Sequence, residues 1–333
     1  MFTLERLRHL MDVLPGFAMA VVIAVAASYI GHLTPVVGAP IVAILLGILF
    51  NLLLGRIPNA EIGVSFTAKR ILQFAIILLG ANLNLAVVWK TGMQSFWVMI
   101  GSLVIALIGG TIIGRLLHLP RNLTRLITVG TSICGASAIS AISPLVDAEE
   151  GDIAYSISTI FTFNVIAVFL FPLIGHIFHF SSIKFGTWAG TAINDTSSVV
   201  AAGYSFSHAA GQYATVVKLT RSLAIIPISL WFAIHSIFHK KTSGSNNVKI
   251  KFPLFIVGFV MMSALDTFHV FGQTGGPIIS AVGQFFISVA LAAIGLNTNL
   301  RALLKTGYRP LLMGLCTWAL VAISSLILQR ISA

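Results

Sequence analysis

Residues 187–203 read T-W-A-G-T-A-I-N-D-T-S-S-V-V-A-A-G, which sets Asn194, Asp195 and four hydroxyls in eight residues within otherwise apolar surroundings. Lys218 and Arg221 follow inside the next apolar run. Ionisable groups at membrane depth are costly, so they face the protein interior or a wet path and mark function. The composition makes that rule the relevant one. Of 333 residues, 57% are hydrophobic and 9% charged, and mean hydropathy is +0.98; soluble domains carry about 25% charged residues. A polytopic membrane protein is implied, with a transport site around 187–203.

The formal charge of +11 does not point to nucleic acid, because the basic residues lie between apolar runs and form no long cluster. Anchoring of cytoplasmic loops explains them better. Cys134 and Cys316 fall in different apolar segments, so neither a disulfide framework nor a zinc site is expected. The N-terminal arginines followed by Gly16–Ile30 resemble a secretory signal. Ten further apolar runs follow, so the segment is expected to be a retained first helix.

A spanning helix needs roughly 20 mainly apolar residues. The fold expected is all-α, with about eleven transmembrane helices at 14–31, 38–55, 69–88, 93–117, 124–143, 152–178, 186–203, 210–238, 253–271, 276–298 and 308–329, in one transporter domain. Lys240–Phe252 is the nearest thing to a linker. With the N-terminus inside, all twenty Lys and Arg fall on the cytoplasmic side except Lys90 and Arg330 outside and Lys218 and Arg221 within a span. Asp147, Glu149, Glu150 and Asp152 fall outside together. The pattern predicts a cytoplasmic N-terminus and an external C-terminus.

Two internal echoes add detail. Gly80, Asn82, Asn84, Leu85, Lys90, Thr91 and Gly92 recur as Gly295, Asn297, Asn299, Leu300, Lys305, Thr306 and Gly307, a constant offset of 215 (295 − 80). The copies end helices of opposite direction, which predicts inverted repeats. G-T-S-I-C-G-A-S at 130–137 parallels G-T-A-I-N-D-T-S at 190–197 at an offset of 60 (190 − 130), in helices of the same direction. A plain tandem inverted duplication does not produce both, and one of these two segments is re-entrant on one reading.

Irregular backbone at membrane depth is tolerated only inside protein or along a wet cavity, and a broken helix presents a positive half-helix end to an anion. The candidate substrate-binding residues are therefore Thr131, Ser132, Cys134, Gly135, Ser137, Asn194, Asp195, Thr196, Ser197, Lys218 and Arg221. Close helix packing through small residues is the alternative; it accounts for Gly135, Ala136, Ala138 and Ala141 but not for Asn194-Asp195. Lys218 and Arg221 share a helix face, and Asp195 can neutralise one of them, leaving a positive excess that favours an anion. A purely structural ion pair competes with this. Asn82, Asn84, Asn297 and Asn299 either cap broken helices beside the pathway or are ordinary helix-end residues. Asn164, in mid-span, is read as an interhelical hydrogen-bonding residue. The acidic run 147–152 complements a helix N-terminus. His235 and His239 stand near a loop and are read as snorkelling side chains. Neither H-E-x-x-H nor Walker A is present, so no metal, no cofactor and no catalytic residue is expected.

G-T-S-I-C-G-A-S-A-I at 130–139, G-T-A-I-N-D-T-S-S-V-V-A-A-G at 190–203, A-T-V-V-K-L-T-R at 214–221 and the L-G-A-N-L-N helix end resemble the sulfate exporter family of bacterial inner-membrane proteins. The resemblance covers nearly the whole chain, and some relatives carry His where this chain has Asn194. It implies a superfamily shared with cation–proton antiporters and bile-acid symporters, with inverted repeats and crossed broken helices. It also implies a multi-pass protein of the bacterial inner membrane, C-terminus in the periplasm, carrying sulfate, sulfite or a sulfonate, a substrate assigned to the family by association. The expected function is a secondary transporter and not an enzyme. Its expected partners are a small anionic solute and membrane lipid, with a homodimer allowed and no nucleic acid. The alternatives are a proton- or sodium-coupled carrier using Asp195 and, more remotely, a membrane-embedded enzyme.

Overall fold

The computed structural model describes residues 2–33, 38–55, 59–239, 254–298 and 307–332, and every element described is helical. In chain order they are α1 (Phe2–Leu33), α2 (Ala39–Leu54), α3 (Glu61–Asn82), α4 (Leu85–Leu116), α5 (Arg121–Ser132), α6 (Ala136–Ile142) and α7 (Glu150–Ile177). Then follow α8 (Ser182–Ala192), α9 (Thr196–Phe206), α10 (His208–Ser222), α11 (Ile225–His239), α12 (Leu254–Thr267), α13 (Gly272–Asn297) and α14 (Tyr308–Ser332). Seven described stretches are long and apolar enough to cross a membrane, and Ala39–Leu54, Ala136–Leu145 and Leu254–Thr267 are shorter apolar helices. The protein is a polytopic helical membrane protein. Each of the eleven expected segments falls on one helix or on a pair of helices.

Several boundaries differ from the sequence reading, each for a local reason. The segment expected at 69–88 is α3, which begins at Glu61 and carries Lys69 and Arg70 inside it, through a π-helical turn at Thr67–Ile71. Next, α4 begins at Leu85 rather than residue 93, because the Asn84 side chain accepts from the Ala86 N–H at 2.8 Å and caps it. The run 210–238 is interrupted at Leu223–Ala224, four residues before Pro227, whose ring clashes with the carbonyl one turn back. The runs 124–143 and 186–203 are each broken in the middle. The 240–252 linker segment lies outside the described residues.

The chain divides into two compact units: Met1–Lys90 with Val200–Gln212 and Leu254–Asn299, and Thr91–Val199 with Tyr213–Pro253 and Leu300–Ala333. Within the first, a Cβ on Gly80 would strike the carbonyl oxygen of Phe259, and one on Gly295 that of Ile44. Both glycines and both partners stand 215 residues apart (295 − 80 and 259 − 44), so one contact is the image of the other. Gly276 abuts Ala81 while Gly283 abuts Ala75 and Leu78, so α3 and α13 run antiparallel. The echo at 215 is thus an inverted exchange of α2–α3 with α12–α13. Within the second unit, Gly101 of α4 lies against Leu328 of α14 and Gly109 against Leu320. These helices, also 215 residues apart in sequence, are antiparallel too, as an inverted repeat requires.

Candidate functional site

The second unit holds both broken helices. Helix α5 ends at Ser132, and Gly135 closes it: its N–H donates to the Gly130 carbonyl at 2.9 Å, and its φ of 67° is one that a side chain makes costly. The chain then re-enters a helix at Ala136. The second break has no glycine. Ile193 is extended, and Asp195 restarts the chain as the N-cap of α9, its Oδ2 accepting from the Ser197 N–H at 3.0 Å and from the Ser197 hydroxyl. Asn164 of α7 secures this turn by accepting from the Asp195 N–H at 3.2 Å.

Each break leaves helix-terminal carbonyls without intrahelical donors. Two side chains of α10 supply them. A Cβ on Gly190 would come within 2.7 Å of the Val217 Cβ, so only glycine lets α10 approach α8 this closely. The next residue, Lys218, donates from Nζ to Ile133 O at 2.9 Å and to Ile193 O at 2.8 Å. Arg221, one turn on, donates from Nε to Ser132 O at 2.8 Å, and from Nη1 to Thr191 O and to Ser102 Oγ, the latter at 3.2 Å. Ile133 and Ile193 are equivalent positions of the 60-residue echo, so one ammonium bridges both copies. The cations are 0% and 2% exposed. Each half-helix C-terminus carries roughly half a negative charge, which is why two cations can be stable here with so little acid nearby.

The sequence candidates divide accordingly. Ser132 contributes its carbonyl, while its hydroxyl bonds back to Thr128 O at 2.6 Å. Cys134 is a buried free thiol in the apolar cluster of Leu126, Ile139 and Ile160. Thr131 and Asn194 are buried, and among the described residues Thr131 Oγ1, both side-chain atoms of Asn194 and Arg221 Nη2 have no hydrogen-bond partner. Ser137 is exposed, Asp195 and Thr196 are half-buried, and Ser197 is buried. The Asp195 carboxylate accepts from the Ser197 N–H and hydroxyl, and among the described residues no direct ion pair joins it to either cation. Asn82, Asn84 and Asn297 belong to the first unit. There Asn84 caps α4, the Asn82 carbonyl accepts from Gln212 at 3.4 Å, and Asn297 is exposed at the end of α13. Asn299 and the side chains of His235 and His239 lie outside the described residues.

Sequence reasoning missed Ser102 and Gly190. It also missed Trp188, whose Nε1 donates to Ala322 O at 3.0 Å and whose ring stacks on Phe171 at 4.1 Å, pinning α8 to α14 and α7. Gly190 carried a signal, since its echo partner Gly130 also admits close neighbours, Ile139 and Ile160. The carbonyl ligands carried none. Among the described residues, no three His, Cys, Asp or Glu side chains gather to hold a metal ion.

Residues 15–314 match the model of a family described as "Conserved hypothetical protein 698". A UPF0324 membrane protein of Clostridium tetani is 40% identical over 330 residues, covering 94% of this chain and 96% of that protein. A counterpart in Fusobacterium nucleatum is 38% identical over 338 residues, at 95% and 97% coverage. One in Streptococcus pyogenes serotype M18 is 40% identical over 326 residues, at 95% and 96%.

Proposed function

The chain belongs to this conserved family of UPF0324 membrane proteins, and we propose that it is a secondary transporter moving a small anion by alternating access. Sulfate, sulfite or a sulfonate is the substrate class. The observation that carries the reading is a set of buried donors with no partner among the described residues: Arg221 Nη2, Asn194 Nδ2 and the Thr131 hydroxyl. Buried polar groups are nearly always satisfied, so unsatisfied ones call for an explanation. All three lie on, or beside in sequence, the residues through which Lys218 and Arg221 hold the breaks.

Charge supports an anion as well. Two buried cations face one carboxylate and two half-helix C-termini worth roughly half a charge each, while the start of α9 adds roughly half a positive charge. A surplus of positive potential remains for a solute. Ser137 and Thr196, accessible just beyond the breaks, are suited to replace part of a hydration shell. The spread of Lys and Arg supports a cytoplasmic N-terminus and a periplasmic C-terminus in a bacterial inner membrane.

Saturable uptake of radiolabelled sulfate, sulfite or taurine into proteoliposomes, with and without a pH gradient, tests the proposal; absence of flux for all three defeats it. A proton- or sodium-coupled carrier is the second reading, favoured by one observation: Asp195 is the half-buried acid at the break. Dependence of flux on sodium or protons with no competition among anions would select it.

A further inference from the structure

The walls of the solute path are legible in the first unit, and this step rests on the anion-transport reading. Helix α3 carries Ser65, Lys69 and Gln73 at intervals of four, with Arg70 beside Lys69. Ser65, Lys69 and Arg70 are exposed although α3 is long and apolar enough to cross a membrane. Lys69 stands eight residues into α3 from Glu61 and thirteen from Asn82, which is about 12 Å and about 20 Å along the axis. A charge at that depth needs water or protein around it. The π-helical turn Thr67–Ile71 spans this pair. Such a turn needs more residues per revolution than an α-helix, so neighbouring side chains diverge less in azimuth, and such turns gather at functional sites.

The repeat supplies a second, independent observation. Advancing Ser65, Lys69 and Gln73 by 215 residues gives Ser280, Gln284 and Ser288 on α13, polar at every position. Gln284 and Ser288 line a cavity of about 290 Å³ together with Ser28 and Tyr204. The Tyr204 and Ser280 hydroxyls are buried without a partner among the described residues. One stripe therefore already borders open space, and its image is the stripe that bears the cations.

We infer that Ser65–Lys69–Gln73 and Ser280–Gln284–Ser288 are equivalent walls of the solute path, one per repeat, and that Lys69 with Arg70 makes the first an anion-attracting wall. The second carries no charge, so the two half-pathways differ in electrostatics although related by the repeat. The shared ligand chemistry is a free oxyanion or a lipid phosphate, and the proposal commits to the free anion.

Single cysteines at Ser65, Lys69, Gln73 and Gln284, with Val104→Cys and Ile108→Cys, exposed on the apolar helix α4, as references, are labelled in proteoliposomes by membrane-impermeant methanethiosulfonates. Peptide mass spectrometry separates them from Cys134 and Cys316. The polar-stripe positions are expected to react at least about tenfold faster than the references, since only wet positions react. At Gln73→Cys the anionic reagent is expected to gain about fivefold over the cationic one relative to free cysteine, and to lose that gain in Lys69→Gln/Arg70→Gln. Lys69→Cys as inert as Ile108→Cys, no charge preference at Gln73→Cys, or protection by anionic lipid but not by soluble sulfate each overturns the proposal. Gln73→Cys keeps both cations, so it remains informative if Lys69→Cys fails to fold. Absence of anion flux with this labelling pattern intact sinks the transport reading alone; the reverse result sinks the wall.

Discussion

Replacing Lys218 by Met removes one charge and keeps most of the side-chain volume, so packing is nearly constant and the electrostatics are isolated. Lys218 is 0% exposed and donates to Ile133 O at 2.9 Å and Ile193 O at 2.8 Å. Losing it leaves two buried carbonyls unsatisfied, at about 1–3 kcal/mol each. It also leaves two half-helix C-termini near one another with less positive charge between them. Against this, the ammonium no longer has to be desolvated, which returns part of the loss. Removing one member of a buried electrostatic arrangement usually costs about 3–5 kcal/mol net, and about 3 kcal/mol is expected here. At roughly 2 °C per kcal/mol for a chain of this length, the apparent melting midpoint in detergent should fall by roughly 6 °C. Lys184→Met is the control, because Lys184 is exposed and its ammonium lies over the Phe180 ring; it should move the midpoint far less. A Lys218→Met protein melting with the parent, at unchanged flux, would refute the structural role given to this cation.

Other outcomes follow from the same geometry. Asp195→Asn keeps a competent N-cap, so the melting midpoint should hold, while anion flux should persist under the anion reading and vanish under the cation-carrier reading; proteoliposome uptake decides. Gly135→Ala forces a side chain into a φ of 67° with its Cβ 3.3 Å from Ile160, and should destabilise the protein by about 1–2 kcal/mol by thermal melting. Trp188→Phe preserves a ring to stack on Phe171 but loses the bond to Ala322 O, costing about 1 kcal/mol in the same assay. Lys218→Met combined with Arg221→Met should cost less than the two single effects added, because both cations hold the same two breaks.

Much of this was written in the sequence, for identifiable reasons. Apolar runs expose themselves through length and composition, so every expected segment met a helix. Breaks announce themselves because Gly135 and the Asn194-Asp195 pair are poor choices inside a continuous apolar helix. Charge counting placed Lys69 and Arg70 at a membrane edge, and the structure puts them inside α3; a count of charges does not register a helix that begins eight residues earlier. The roles of Lys218 and Arg221 were only half legible. That they are buried followed from their position in an apolar run. Their bonding to backbone carbonyls did not, because carbonyls of Ser132, Ile133, Thr191 and Ile193 leave no mark in side-chain identity. Ser102 was invisible for the opposite reason: a serine in a long apolar helix usually bonds its own preceding turn, as Ser102 also does to Met99 O at 3.1 Å.

The two echoes now have different meanings. The 215-residue echo exchanges antiparallel helices, whereas the 60-residue echo sets two breaks around one pair of cations. Lys218 binds a carbonyl from each copy, and so does Arg221. Sliding one break past the other would therefore disrupt bonds on both cations, and bonds to charged groups are worth about 1.5–3 kcal/mol each. Four such bonds make independent motion of α5–α6 and α8–α9 far costlier than motion of both together. In an alternating-access cycle, α10 and the two broken helices are expected to travel as one body, and the solute to be passed by rearrangement elsewhere. A disulfide or crosslink joining α5 to α8 near the breaks should consequently leave flux intact, and a crosslink that abolished it would show that the breaks move apart.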